Sequence, residues 1–194
     1  MGTGMKEIRA FIAIELPING RTYIDQLTQK LRPVTSKNIR WIPSSNIHLT
    51  LKFLGESAPQ SLELLATTID QNIKKMTPFD LVLSHLGTFP NARQPRIVWI
   101  GFQPNPKLMT LQSCVENAAQ QTGFAKEDRP YSPHLTIARV REPLARSEVE
   151  QLNVSLQNTS MDTSLVIPVK EVILFRSDLH PSGAIYTIVR RFPL

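Results

Sequence analysis

The chain is short of cysteine, of histidine and of long apolar runs, and each shortage removes a class of function. Cys114 is the one cysteine among 194 residues, so an internal disulfide and a cysteine-rich metal site are both excluded. The four histidines, His48, His85, His134 and His180, are scattered and form no His/Cys cluster of the kind a zinc site needs. No metal and no cofactor is expected. The longest early apolar run, residues 10–14, is cut by Glu15 and falls far short of a membrane span. The opening residues Met1-Gly2-Thr3-Gly4-Met5-Lys6 contain no apolar signal core, and Lys6 stands where a myristoylation motif requires Ser or Thr. Together these shortages predict a cytoplasmic protein with no membrane attachment.

What is present is ordinary in bulk: 41% hydrophobic and 20% charged residues, in a length that suits one domain or two small lobes sharing a core. The formal net charge is +6 and the pI is about 9.7. That balance favours polyanionic partners such as nucleic acid, but it bears on association and not on chemistry.

Strand-like and helical segments alternate along the chain. Residues 9–16 predict a strand ended by Pro17. Tyr23, Ile24, Leu27 and Leu31 recur at helical spacing, so residues 20–32 predict a helix stopped by Pro33. Strands are expected over residues 39–42 and 47–54, the second bounded by Gly55. A helix starts near Pro59 and turns Leu62, Leu65, Ile69 and Ile73 to one side. Residues 79–86 and 96–102 are strand-like. Residues 106–121 predict a helix with Leu108, Leu111, Val115 and Ala119 inward, ended by Gly123. A strand over residues 134–140, a helix over 144–156 with Val149 and Leu152 inside, and two long strands over 166–176 and 184–192 complete the chain. Without a regular βαβ rhythm, the expected class is α+β: antiparallel sheets with helices on their outer faces.

One short repeat stands out. Ile47-His48-Leu49-Thr50-Leu51 and Pro133-His134-Leu135-Thr136-Ile137 are nearly the same pentamer, one in each half. Strand alternation turns His48 and Thr50 to one face and Leu49 and Leu51 to the other, and it does the same for the second copy. Two such strands related by a twofold would face two imidazoles and two hydroxyls across a cleft. A neutral and a protonated imidazole can take one proton and give another near neutral pH without a metal. Threonine hydroxyls can hydrogen-bond phosphate oxygens, and an arginine would neutralise the charge.

The paired motif resembles the signature of the 2H phosphoesterase superfamily, and more closely the RNA 2',3'-cyclic phosphodiesterases, also called 2'-5' RNA ligases. Stretches that carry the likeness include Arg9-Ala-Phe-Ile-Ala-Ile14, His48-Leu-Thr-Leu-Lys-Phe-Leu-Gly55, Ile97-Val-Trp99, Ser132-Pro-His-Leu-Thr-Ile-Ala-Arg139 and Phe175-Arg-Ser177. The resemblance implies one bilobal domain over residues 1–194, with a pseudo-twofold and a central cleft. It implies hydrolysis of RNA 2',3'-cyclic phosphate ends, such as those of tRNA fragments, or of cyclic nucleotides, to 2'-phosphomonoesters. Reversible 2'-5' joining is the companion reaction. It further implies that His48, Thr50, His134 and Thr136 form the site, that Arg139 binds phosphate and that Phe53 stacks on the terminal base. We assign His48 as proton donor and His134 as proton acceptor, although the motifs themselves are almost equivalent. Nothing in the chain demands more than a monomer.

Strict alternation places Phe53 and Arg139 on the face opposite their histidines, so they reach the cleft only if the strands twist, bulge or end nearby. By the same parity Lys52 should point into the cleft as a second cation, or else lie solvated on its rim. Outside the repeat, His85 is expected to be a structural strand residue and His180 an exposed turn residue. Cys114 and Trp99 are expected in the core. Trp41 is expected there too, with a base pocket as the alternative, and Arg93 and Arg96 could contact an RNA backbone.

Overall fold

The computed structural model describes residues 7–181 and 183–194; the opening residues 1–6, on which the signal and myristoylation readings rest, lie outside them. The first strand, β1 (Ile8–Glu15), is buried from Ala10 to Ile14 because apolar groups cover both its faces. Helix α1 (Ile18–Leu31) then turns Ile24, Leu27 and Leu31 inward. Pro33 sits within a short 3-10 turn, Arg32–Val34, that continues the helix end. After β2 (Ile39–Trp41), a second 3-10 turn over Ser44–Asn46 delivers the chain into β3 (His48–Ser57). Helix α2 (Pro59–Ile73) carries Pro59 in its first turn, where the missing N–H removes no helix bond.

Strands β4 (Phe79–Phe89) and β5 (Ile97–Phe102) precede helix α3 (Pro106–Gln121), whose first turn is capped by the Asn105 side chain. Strand β6 (His134–Val140) and helix α4 (Arg146–Gln157) follow. Leu152 and Leu156 are buried in α4, whereas Val149, expected inside, is only half-buried. The strand expected over 166–176 is two strands, β7 (Val166–Val169) and β8 (Glu171–His180). The chain changes sides of the molecule at Lys170: β7 pairs with β4, and β8 pairs with β1 and with the last strand, β9 (Gly183–Pro193).

The nine strands of the described residues join one antiparallel sheet in the order β7-β4-β5-β6-β3-β1-β8-β9, with β2 added against β6. The α+β class holds, and the duplicated sheets are two halves of one curled sheet that meet at the β3–β6 seam, each with four strands of that order and with β2 as the ninth strand, on β6. Structural halves and sequence halves do not coincide, because β8 and β9 complete the half built on β1 and β3. The seam is narrow. Its registered Cα pair is Leu49–Leu135, two buried leucines at the centre of the molecule.

Leu49, Leu51, Leu135 and Ile137 point into the large core, which also takes in the inward residues of all four helices. The other face of the sheet carries a small separate cluster of Phe11, Ala13, Ile173 and Phe175, flanked by Tyr186. Among the described residues, no helix is long and apolar enough to cross a membrane.

Candidate active site

His48 and Thr50 alternate along β3 with the buried Leu49 and Leu51, and His134 and Thr136 alternate along β6 with the buried Leu135 and Ile137. Antiparallel register about Leu49–Leu135 brings Thr136 beside His48 and Thr50 beside His134. All four side chains line one cleft of about 450 Å³.

Each imidazole is held the same way. His48 Nδ1 lies 3.0 Å from the carbonyl oxygen of Asn46, and His134 Nδ1 lies 2.8 Å from that of Ser132. A carbonyl can only accept, so Nδ1 is the protonated nitrogen in both rings and Nε2 is left as the titrating atom. Both histidines can therefore take or give a proton through Nε2 without losing their anchor.

The parity problem at Phe53 and Arg139 is resolved by a matched pair of β-bulges. Along β1–β3, Ile12 pairs with Lys52 but Ala13 pairs with Thr50, so Leu51 is the extra residue. Along β5–β6, Val98 pairs with Ala138 but Trp99 pairs with Thr136, so Ile137 is the extra residue. The extra residue is the third after histidine in both strands. It makes two consecutive residues buried, Leu51-Lys52 and Ile137-Ala138, and returns the next side chain to the cleft face. Phe53, 65% exposed, and the exposed Arg139 both line the cleft for this reason. A further irregularity at Leu54 precedes Gly55, whose φ of 71° is one that other residues rarely adopt, and β3 runs on to Ser57.

The same bulge corrects the expectation for Lys52. It points away from the cleft and is 5% exposed. Its Nζ donates to Glu116 Oε1 at 2.8 Å and to the Ala125 carbonyl at 2.7 Å. Glu116 Oε1 also accepts from the Glu127 backbone N–H at 3.1 Å. Closer to the second motif, the Tyr131 hydroxyl donates to the carbonyl oxygen of Thr50 at 3.0 Å, and burial pushes this phenol above its usual range. The segment leading into His134 thus braces the β3 bulge from behind, tying one motif to the other.

The surroundings of the two histidines differ. The His48 ring stacks on Phe11 at 4.6 Å between centroids and meets the Tyr186 ring edge-on at 5.1 Å. Burial pushes its pKa down to about 4, opposed by the Asn46 carbonyl and reinforced by the positive charge of Arg139. His134 meets Phe89 edge-on at 5.0 Å, and Trp99 lies behind at 6.4 Å. Trp99, expected in the core, is half-buried on this wall and closes over Gly87, where a Cβ would fall 2.3 Å from its ring.

Four cleft residues with polar side chains went unnamed as site candidates in the sequence: Arg9, Asn46, Ser177 and Tyr186. Arg9, Ser177 and Tyr186 come from strands brought together only by pairing, and Asn46 from the turn before β3; none belongs to a repeat. The remaining expectations fall outside the cleft. His85 is exposed on β4 against Trp99, and His180 is exposed at the end of β8. Trp41 and Cys114 pack against the core. Among the described residues, no group of three or more His, Cys, Asp or Glu side chains is placed to hold a metal ion.

Comparison with known proteins extends the likeness over the whole fold. The family model described as the 2'-5' RNA ligase superfamily matches residues 18–180. An RNA 2',3'-cyclic phosphodiesterase of Methanothermobacter thermautotrophicus is 31% identical over 188 residues, covering 97% of this chain and 100% of the relative. One of Methanocaldococcus jannaschii is 29% identical over 185 residues, covering 95% and 100%. A crystal structure of a Thermus thermophilus protein superposes with a TM-score of 0.82 at 27% identity, covering 96% of this chain and 98% of that one. The chain belongs to the 2'-5' RNA ligase superfamily.

Proposed function

We propose that this protein hydrolyses the 2',3'-cyclic phosphodiester at RNA ends, or in cyclic nucleotides, by general acid-base catalysis from His48 and His134 without a metal. The observation that carries this reading is the pair of imidazoles in one cleft, each with Nδ1 tied to a carbonyl and Nε2 free to exchange a proton. Full-length relatives named for that activity support it.

In this scheme water attacks phosphorus while His134 Nε2 takes its proton. The phosphorus–O3' bond breaks and His48 Nε2 gives a proton to the departing 3' oxygen. The products are a 3'-hydroxyl and a 2'-phosphomonoester, with the two imidazoles in exchanged protonation states that solvent resets. Thr50 and Thr136 hydrogen-bond the non-bridging oxygens, Arg139 offsets their charge, and Phe53 stacks on the terminal base. A 5'-hydroxyl in place of the water gives 2'-5' joining by the same displacement.

His48 is neutral near pH 7 in the empty cleft, since its pKa is pushed to about 4. The donor role therefore requires His48 to take up a proton from solvent as the substrate anion binds. A phosphate anion between His48 and Arg139 cancels the repulsion from the guanidinium and accepts a hydrogen bond from imidazolium, and both effects raise the pKa. The chain acts as one bilobal unit and as a monomer in the cytoplasm, where a lone thiol such as Cys114 stays reduced.

The test is turnover of a 2',3'-cyclic mononucleotide in excess EDTA, with 2'- and 3'-phosphates separated by chromatography. The 2'-phosphate alone is expected. No turnover, or turnover abolished by the chelator, contradicts the proposal.

A further inference from the structure

The cleft is too small for more than the end of an RNA chain, and a second, larger groove of about 760 Å³ lies between the β4–β5 loop and helix α4. Its lining includes Arg93, Arg96 and Arg146 against one acidic residue, Glu150. Arg146 is paired with Glu150 at 3.0 Å. Arg93 and Arg96 are exposed, and among the described residues their guanidinium groups have neither an ion pair nor a hydrogen bond. Two cations are thus held over a concave surface with nothing to neutralise them.

The loop that carries them is tied down. Asn91 Oδ1 accepts from the backbone N–H groups of Arg93 and Gln94, each at 3.0 Å, and Asn153 Nδ2 of α4 donates to the Ala92 carbonyl at 3.0 Å. The loop is also joined to the cleft at both ends. Phe89, the last residue of β4, is the ring against His134. Ile97 pairs with Arg139, and the Val140 N–H donates to the Arg96 carbonyl at 2.9 Å. The loop that borders the groove is therefore bonded to β6 one residue beyond the arginine of the cleft.

We propose that this groove binds the sugar-phosphate backbone of the RNA leading to the cyclic end, with Arg93 and Arg96 pairing to successive phosphates. Charge complementarity and the loop's backbone link to the cleft strand β6 carry the assignment, which rests on the hydrolase reading above. Backbone contacts of this kind add affinity without base preference, and they make it depend on salt. The groove would therefore make an oligonucleotide a better substrate than a cyclic mononucleotide, which is too short to reach it.

The experiment compares kcat/KM for a cyclic mononucleotide and for a single-stranded oligonucleotide with a 2',3'-cyclic end, over a range of salt. The enzymes are wild type, R93Q/R96Q, and K74Q/K75Q, which removes two exposed charges that line neither cavity. For R93Q/R96Q the oligonucleotide value is expected to fall about tenfold at low salt and the log–log salt slope to flatten by about 1.4, two single-strand phosphates' worth. The mononucleotide value should stay at the wild-type level, which also shows that the variant is folded. R93K/R96K should keep the slope. Equal losses on both substrates with an unchanged melting temperature, an unchanged oligonucleotide value, or the same loss in K74Q/K75Q would overturn the proposal. Wild-type enzyme inert on both substrates would instead remove the hydrolase reading on which it rests.

Discussion

The two histidines stand on equivalent strands, with equivalent anchors and equivalent bulges and both half-buried, yet their aromatic surroundings differ. His48 is packed among Phe11, Phe175 and Tyr186, and burial lowers its pKa to about 4. His134 rests on the edge contact with Phe89, and its Nδ1 hydrogen bond is exposed. The repeat supplies matched geometry, while the flanking strands supply unmatched environments. Duplicated motifs can thus set one proton-transfer group among aromatic rings that hold it neutral in the empty site and set the other against a different wall. That is a physical basis for unlike roles on like strands.

The comparison breaks most sharply if only one histidine matters. Replacing either His48 or His134 by Ala is expected to lower turnover of a cyclic-phosphate oligonucleotide by about 10²- to 10⁴-fold, the usual worth of a positioned acid or base. Full activity in either variant would dissolve the pairing. Next in size is the brace behind β3, which has no counterpart in β6 because Ala138 takes the place of Lys52. K52M leaves Glu116 largely buried without its partner and is expected to cost about 3–5 kcal/mol in denaturant unfolding. K52M/E116L should recover most of that loss. If K52M alone is as stable as wild type, the brace has no structural role.

The third contrast is in pH. Between pH 4 and 6.5 the unfolded chain binds a proton at residue 48 that the folded chain refuses, because the folded pKa is about 4. Stability from this residue is therefore fully present above pH 6.5 and is lost as pH falls towards 4, by about 3 kcal/mol at most. H134Q should keep that loss and H48Q should lack it, as read from melts across the pH range. The smallest effect is F11L, which lets water reach His48. Its imidazole pKa, followed by NMR, should rise towards 6.5 by about one unit. An unchanged value would show that the Phe11 stack is not what dries the ring.

Much of this was legible in the sequence for a definite reason. Leu49, Leu51, Leu135 and Ile137 are apolar at every second position, so the facing of His48, Thr50, His134 and Thr136 follows from alternation. The bulges were not legible. Two consecutive inward residues look normal as Ile137-Ala138, but Leu51-Lys52 hides the inward turn because Lys52 is charged and its partner, Glu116, is 64 residues away. The break at Lys170 left a trace, since Pro168 and the charged pair Lys170-Glu171 interrupt two apolar runs, but nothing local records that the chain exchanges one set of neighbours for another there. Arg9, Ser177 and Tyr186 enter the cleft by strand pairing, which no local pattern records.

The most direct test of the division of labour uses a leaving atom that needs no proton. A cyclic substrate in which sulfur replaces the 3' bridging oxygen departs as a thiolate. With His48 as donor, this substrate should restore H48A by about tenfold or more over the oxygen substrate, relative to wild type, and should leave H134A as impaired as before. Rescue of H134A instead, or of neither variant, would contradict the assignment of His48 as acid and His134 as base.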